Sequence, residues 1–348
     1  MRIAIATTQV PFIKGGAELH ASRLEATLKE HGHQAEIVSI PFKWYPPEVL
    51  LEGLWAARAI DLSESNGQKI DRMIGLKFPG YLMRHPDTVM WVLHQHREAY
   101  DLWGTELVDV HRHPMGRVMR EAVHAADMGA FSQAKALFAN SRTVADRLKR
   151  FNGIAADPLY HPPPLAGAMR TDAYEPFFYY PSRLSGLKRQ LLVLEAMAKC
   201  VSPVKVVFSG GADNDEIAEQ FRKRVTQLGL EKRAEWLGRV SEDEMLGLYA
   251  RGRGVIFVPY DEDLGYITLE AMLARKPVIT TTDSGGPQEF IRDGVEGRVV
   301  AAEPAELARA LDALFADASL AERMGEAGHQ RYRSLDITWE HVVRSLTC

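Results

Sequence analysis

Residues 254–286 read GVIFVPYDEDLGYITLEAMLARKPVITTTDSGG, an order of residue types that specifies strand, loop, helix and strand. The apolar run ending at Tyr260 is continuous rather than alternating, as in a parallel strand buried on both faces. Glu262–Gly265 therefore falls at a strand's carboxyl end, the edge of an open α/β sheet where ligands bind. Gly265 permits a tight turn, and the helix expected over Ile267–Ala274 starts just beyond it. Its free N–H groups, backed by the helix dipole, suit a phosphate. Glu270 lies inside that helix, flanked by Leu269 and Met272. A carboxylate beside core positions is costly unless it meets donors, and the 2′ and 3′ hydroxyls of a ribose supply two. Glu262, eight residues earlier, can reach hydroxyls on a group beyond the phosphates. An isolated pair of glutamates is more simply read as surface residues; strand, glycine and helix in register favour a site.

Outward from this stretch the same alternation recurs. Toward the amino terminus lie PFFYYPSR, a helix over Gln190–Lys199, VKVVFSGG, a helix over Glu216–Leu228, AEWLGRV and a helix near Glu242–Ala250. The segment DPLYHPPPLAG interrupts the rhythm, because Pro162, Pro163 and Pro164 favour a stiff extended connector. Before it, Arg2–Thr8, QAEIVSI, DRMIGLKF, TVMWVLH and AKALFAN read as buried strands, with helices over Glu18–His31 and Thr143–Phe151. The expected organisation is α/β: a domain over residues 1–163, and a second over 164–334. After a helix over Ala321–Arg333 and a break near Asp336, Thr338-Trp339-Glu340 opens a final helix. Phe42–Leu62 reads as a loop.

The 348 residues, 46% hydrophobic and 25% charged, suit a globular protein of two domains. A net charge of −4 gives no global drive toward nucleic acid. Cys200 and Cys348 are far apart and carry no zinc-type spacing, so two free thiols in a cytoplasmic protein are expected. Met1-Arg2 leads straight into the strand IAIATT, too short for a signal peptide, and no apolar run is long enough to span a bilayer, so a protein kept inside the cell is expected. Ten of the twelve histidines lie in the first 161 residues, which hints that the halves do different work.

YYPSRLSGLKR places Arg183 and Lys188 after a strand end, bracketing a glycine-containing turn. Two cations there can hold a diphosphate, Arg183 through forked contacts. Gly15-Gly16 lies between the first strand and helix and is not GxGxxG, which disfavours a dehydrogenase-type dinucleotide site. His94 directly follows the strand TVMWVLH, and His96, Arg97, Tyr100 and Trp103 continue from it. His111 and His113 suggest a metal only if a third ligand exists, and none can be named. Asp261 and Asp263 form an Asp-x-Asp that a metal-dependent transferase could use on a diphosphate; the Arg–Lys pair argues for a metal-free site.

Two glutamates separated by seven residues, with Gly265 third after the first and Ala271-Met272 after the second, resemble the signature of family-4 retaining glycosyltransferases. The segment PVITTTDSGGPQEFIRDGVEGRVV, the Gly15-Gly16 loop and YYPSRLSGLKR are similar too, except that Pro181-Ser182 stands where a glycine often precedes the arginine. The resemblance implies the GT-B fold of two Rossmann-like domains facing across a cleft, with the helix about 335–348 packing back on the first domain. It implies transfer from a nucleoside-diphosphate sugar to an acceptor hydroxyl with retained configuration, without cofactor or essential metal. Arg183 and Lys188 would neutralise the departing diphosphate. Glu262 and His94 would act at the donor sugar, while Gly265, Tyr266, Ile267, Glu270, Gly15 and Gly16 would bind the nucleotide sugar. His96, Arg97 and Tyr100 are acceptor candidates. The implied acceptor is a sugar, lipid-linked or glycoconjugate hydroxyl in surface polysaccharide or glycoconjugate synthesis, with peripheral contact at the inner membrane face left open. A sugar-nucleotide epimerase of the same fold and a non-catalytic partner subunit are the alternatives.

Overall fold

The apolar runs fold as two parallel sheets, one in each of two units of the chain: Met1–Pro164 with Thr338–Cys348, and Leu165–Ile337. The structure is a computed structural model and describes residues 1–12 and 15–348. The first unit contains β1 (Arg2–Gln9), α1 (Gly16–Glu30), β2 (Gln34–Pro41), α2 (Pro47–Ala59), a short hairpin of β3 (Glu64–Ser65) and β4 (Gln68–Lys69), β5 (Arg72–Lys77), β6 (Thr88–His94), α3 (Gly116–Gln133), β7 (Ala136–Ala139), α4 (Arg142–Asn152) and β8 (Asp157–Pro158). Its sheet runs β2-β1-β5-β6-β7-β8, every neighbouring pair parallel. The order reverses between β1 and β5, and the loops above that point are the natural ligand-facing ones.

The second unit contains β9 (Glu175–Pro181), α5 (Gln190–Met197), β10 (Lys205–Ser209), α6 (Asp215–Gln227), β11 (Ala234–Trp236), α7 (Glu242–Arg251), β12 (Gly252–Ile256), α8 (Tyr266–Leu273), β13 (Val278–Thr281), α9 (Pro287–Phe290), β14 (Gly297–Val300), α10 (Pro304–Ala316) and α11 (Ala318–Ser334). Its parallel sheet runs β11-β10-β9-β12-β13-β14, the strand order of a nucleotide-binding Rossmann unit, with its reversal between β9 and β12. Phe178, Phe208, Ile256 and Ile279 are fully buried along these strands. Each such side chain contributes about 1.5–3 kcal/mol on leaving water. The final helix, α12 (Trp339–Thr347), returns to the first unit. Val342, Val343 and Leu346 join Ile3, Leu24 and Leu28 in one core, and Arg72 Nη1 donates to the Leu346 and Cys348 carbonyls at 3.0 Å each. Trp339 stands 5.6 Å, ring to ring, from His161, the residue before the proline connector.

Three segments differ from the sequence reading. Phe42–Leu62 contains helix α2, opened by Pro47 and buried along Leu50, Leu54 and Ala57, an apolar stripe at helical spacing. The helical stretch after Glu303 divides at Asp317, whose carboxylate caps α11 by accepting from the Leu320 amide at 2.9 Å. Strand β12 ends at Ile256 rather than Tyr260, because the Val258 and Pro259 carbonyls are taken by the Arg189 side chain. Cys200 and Cys348 are free thiols. Among the described residues no helix is long and apolar enough to cross a membrane.

Candidate functional site

In the second unit, the loops after β9 and β12 meet where the strand order reverses. Lys188 closes a 3₁₀ turn (Gly186–Lys188), and its ammonium donates to Glu262 Oε2 while lying 5.4 Å from the centre of the Phe257 ring. Two residues nominated separately from the sequence, 74 positions apart, are thus brought into direct contact. Arg183 is more open, with 64% of its side chain exposed, and pairs with Asp213 at 2.9 Å. Its turn has no glycine before the arginine. The space is made instead from the neighbouring strand, since a Cβ at Gly210 would lie 2.6 Å from the Arg183 amide nitrogen.

Gly265, at φ +79°, caps α8, so Tyr266 and Ile267 form the helix's first turn. Glu270 is buried within α8 and its Oε2 accepts from the Tyr249 hydroxyl at 2.6 Å. Burial raises its carboxyl above the usual range, partly offset by that hydrogen bond. Tyr249 packs edge-on against Tyr179 at 5.1 Å.

The loop bearing Glu262 is held by two features outside the sequence-nominated set. The first is backbone. Glu262 N donates to Ser284 O at 2.9 Å, Gly286 N donates to Glu262 O at 2.8 Å, and Gly285 sits at φ +70° where a Cβ would come within 2.6 Å of the Glu262 carbonyl oxygen. The second is Arg189, whose guanidinium binds Asp283 through Nη1–Oδ2 and Nη2–Oδ1, both 2.8 Å. It also donates to the Val258 and Pro259 carbonyls and to Thr281 Oγ1. Periodicity carries no signal for a contact between side chains 94 residues apart. Asp261, first of the Asp-x-Asp pair, takes φ +44° and donates its amide to Asp283 O at 2.9 Å. Among the described residues no group of three or more His, Cys, Asp or Glu side chains is placed to hold a metal.

In the first unit, Gly15 precedes α1 and its amide donates to Glu18 Oε2 at 2.8 Å, with Gly16 the first helical residue. His94 ends β6, and its Nδ1 lies 2.7 Å from the Gln95 carbonyl. A carbonyl only accepts, so Nδ1 carries the proton and Nε2 carries the lone pair in the neutral ring. The acceptor candidates make internal contacts. His96 is buried between Phe42 and Phe78, with ring centres 6.2 and 5.6 Å away. Burial lowers its pKa to about 3, with His94 adding to the effect. Tyr100 is 2% exposed and its hydroxyl donates to buried Asp127 at 2.8 Å. Arg97 pairs with Asp101 at 2.7 Å. Apolar neighbours draw His96 inward and an internal carboxylate draws Tyr100 inward. His111 lies in a 3₁₀ turn (Val110–Arg112) with His113 just beyond it.

Two parallel units of this topology, with cations and carboxylates at the switch point of the second, define the GT-B class of fold. Solved structures agree. The chain is similar over 100% of both lengths to Anabaena Alr3699/HepE, solved with UDP and glucose (TM-score 0.70, 17% identity). It is similar over 99% of its length, and 97% of the other, to sucrose-phosphate synthase from Thermosynechococcus elongatus (TM-score 0.75, 18% identity). Residues 169–331, within the second unit, match the family described as Glycosyl transferases group 1. The α-maltose-1-phosphate synthase of Mycobacterium tuberculosis is 27% identical over 207 residues, 55% of this chain and 53% of that protein; the chain thus matches about half of that relative's length.

Proposed function

We propose that the chain is a retaining glycosyltransferase that moves a sugar from a nucleoside-diphosphate sugar to an acceptor hydroxyl. The observation that carries this reading is the meeting of Lys188 and Glu262 at the β9–β12 switch point, beside the amino terminus of α8 and the exposed guanidinium of Arg183. The family match within the second unit and the transferase or synthase names of its relatives support it.

The difficult step is separation of a diphosphate from a sugar carbon that becomes oxocarbenium-like. Arg183 and Lys188 stabilise the negative charge growing on the leaving group, a term that is usually the largest in such catalysis. A diphosphate competes with Asp213 for Arg183 and with Glu262 for Lys188, releasing the Glu262 carboxylate toward hydroxyls of the sugar. Glu270 accepts from the ribose hydroxyls. The bond from the anomeric carbon to the phosphate oxygen breaks as the bond to the acceptor oxygen forms on the same face. The acceptor proton passes to the departing phosphate, so no metal and no separate base is needed. His94 is assigned to the donor sugar by the family resemblance, and the reaction class fits synthesis of surface polysaccharide or other glycoconjugates. The acceptor is a sugar or lipid-linked hydroxyl, handled in the cytoplasm or at the inner membrane face.

A panel of nucleotide sugars screened by thermal shift identifies the donor, because a ligand that binds the native state raises its melting temperature. Incubation with that donor, with and without sugar acceptors and with excess EDTA, tests the rest. Acceptor-dependent release of nucleoside diphosphate that persists in EDTA is expected. An altered donor sugar formed without acceptor points to an epimerase, and loss of transfer in EDTA with recovery on adding a divalent salt overturns the metal-free mechanism.

A further inference from the structure

One face of α3 holds the loop that follows His94. Arg120, His124 and Asp127 are spaced by four and three residues on that helix, so they share a face. Arg120 Nε and His124 Nε2 both donate to the Ala99 carbonyl, at 3.0 and 2.9 Å. The Tyr100 ring stacks on His124 with centres 4.2 Å apart and planes 9° from parallel, and Arg120 lies 4.9 Å from the centre of the Trp103 ring. The Asp127 carboxylate is fully buried. It accepts from Tyr100 on Oδ2 at 2.8 Å and from Tyr81 on Oδ1 at 2.9 Å. Asn152 of α4 donates to the Tyr100 hydroxyl at 3.4 Å and accepts from Gln95 Nε2 at 2.6 Å. The main-chain carbonyl of Gln95 in turn accepts from His94 Nδ1.

From this chain of contacts we propose that Asp127 is a positioning residue for His94, acting through Tyr100 and the Asn152–Gln95 bond to set the loop and the histidine ring at its start. The inference rests on the glycosyltransferase reading above, in which His94 works at the donor sugar.

A purely structural role explains Asp127 poorly. A fully buried carboxylate whose hydrogen-bond partners are neutral hydroxyls is an expensive core residue, and an apolar side chain of similar volume would pack there at lower cost. Burial raises its pKa to about 7, even though both tyrosine hydrogen bonds favour the ionised form. A carboxyl raised in the folded state stabilises most below its unfolded pKa, and that contribution fades as pH rises through about 7. The ionised form therefore works against stability at the pH where it alone can accept from both tyrosines.

The titratable and charged groups around it are few. Tyr81 comes from the 3₁₀ turn after β5 and Tyr100 from the loop. Burial, with Asp127 adding to it, raises both phenols. His124 and Arg120 face the loop from the same helix. Burial lowers the pKa of His124, against the pull of the Ala99 carbonyl. Asp127, raised to about 7 by burial, titrates within the working range. Once protonated it must donate as well as accept, and its two-tyrosine geometry is lost.

The test is a pH profile of kcat and donor KM for wild type, Asp127→Asn, Tyr100→Phe and Tyr81→Phe, alongside amide hydrogen exchange of residues 94–103. Wild type is expected to show a kcat limb with apparent pKa about 7, rising with pH. Asp127→Asn and Tyr100→Phe should lose that limb, with kcat down about tenfold at pH 8 and donor KM changed less than about twofold. The same two variants should exchange faster over 95–100. Tyr81→Phe leaves the loop's own bond intact and should keep both the limb and the slow exchange. A wild-type pH profile in Asp127→Asn, or unchanged exchange in both loop variants, overturns the proposal. If wild type transfers no sugar to any acceptor, the reading of the activity falls instead, and exchange over 95–100 decides the clamp alone.

Discussion

Arg189 and Asp283, 94 residues apart, face each other as a two-pronged ion pair, with both N–O distances 2.8 Å. The pair ties the start of α5 to the loop after β13, and the same guanidinium caps two carbonyls at the end of β12. Burial opposes ionisation of Asp283, but hydrogen bonds from Arg189 and Thr281 outweigh it and hold the carboxyl below its usual range. A depressed carboxyl stabilises above its unfolded pKa, and that contribution is lost as pH falls through the folded value. Asp283→Asn should therefore be less stable than wild type at pH 7, with the gap closing below the ordinary carboxylate range. Partial exposure of Asp283 screens the pair, so about 1 kcal/mol is expected at neutral pH. Denaturant titrations across that range measure it, and a gap independent of pH contradicts the assignment.

Removing the two cations proposed to face the leaving group should separate binding from chemistry. Lys188→Ala and Arg183→Ala should each lower kcat by about 10²–10³, with nucleoside-diphosphate affinity falling far less. Steady-state kinetics beside calorimetry of the product nucleotide make the comparison. Normal turnover in either variant removes that residue from the mechanism.

Glu270 makes the opposite trade. Its carboxyl is raised by burial, so the ionised form costs stability as pH rises above the ordinary glutamate range. Glu270→Gln should be at least as stable as wild type at pH 7 yet bind nucleotide about tenfold more weakly, the cost of one charged hydrogen bond. A destabilised variant with unchanged affinity would show that the residue serves packing alone.

Gly285→Ala places a methyl group 2.6 Å from the Glu262 carbonyl oxygen at a backbone angle of φ +70°. Strain of about 1–3 kcal/mol is expected, relieved by displacement of the Glu262 loop. Melting temperature and transfer should fall together, and a variant that loses neither shows that the loop has room to move.

Trp339→Ala tests the anchor of α12. The indole lies within 6.4 Å, ring to ring, of His20, Trp91 and His161. Because it is half-buried, its loss should cost about 2 kcal/mol, less than a fully enclosed tryptophan. Thermal unfolding of the apoprotein measures the cost, and an unchanged midpoint shows that the helix holds without its indole.

Legibility in the sequence followed the range of the physics. Strand β6 spans Thr88–His94, the run read from the sequence, because continuous apolar residues are a local signal. The candidate residues flanking β9 and β12 stand out in the sequence because glycine, charge and strand end fall within a few positions of one another. Helix α2 was hidden by Pro46-Pro47, which open it but read as a breaker. Helix α3 was hidden by its two glycines and by a buried aspartate in its apolar face. Arg189, Asp283 and Asp127 act through partners distant in sequence, and neither periodicity nor spacing reports such contacts. His96 and Tyr100 follow β6 as the sequence order requires, but their direction is set by Phe42, Phe78 and Asp127 from other elements.

The return of α12 to the first unit bears on how the protein is made. All of Leu165–Ile337 is translated between the first unit's sheet and the helix that completes its core. The second unit can therefore finish folding while the first still lacks Val342, Val343 and Leu346. This reverses the usual amino-terminal-first order of domain folding during synthesis. A chain truncated after Ile337 should hold a protease-resistant second unit beside a first unit that is still readily cut.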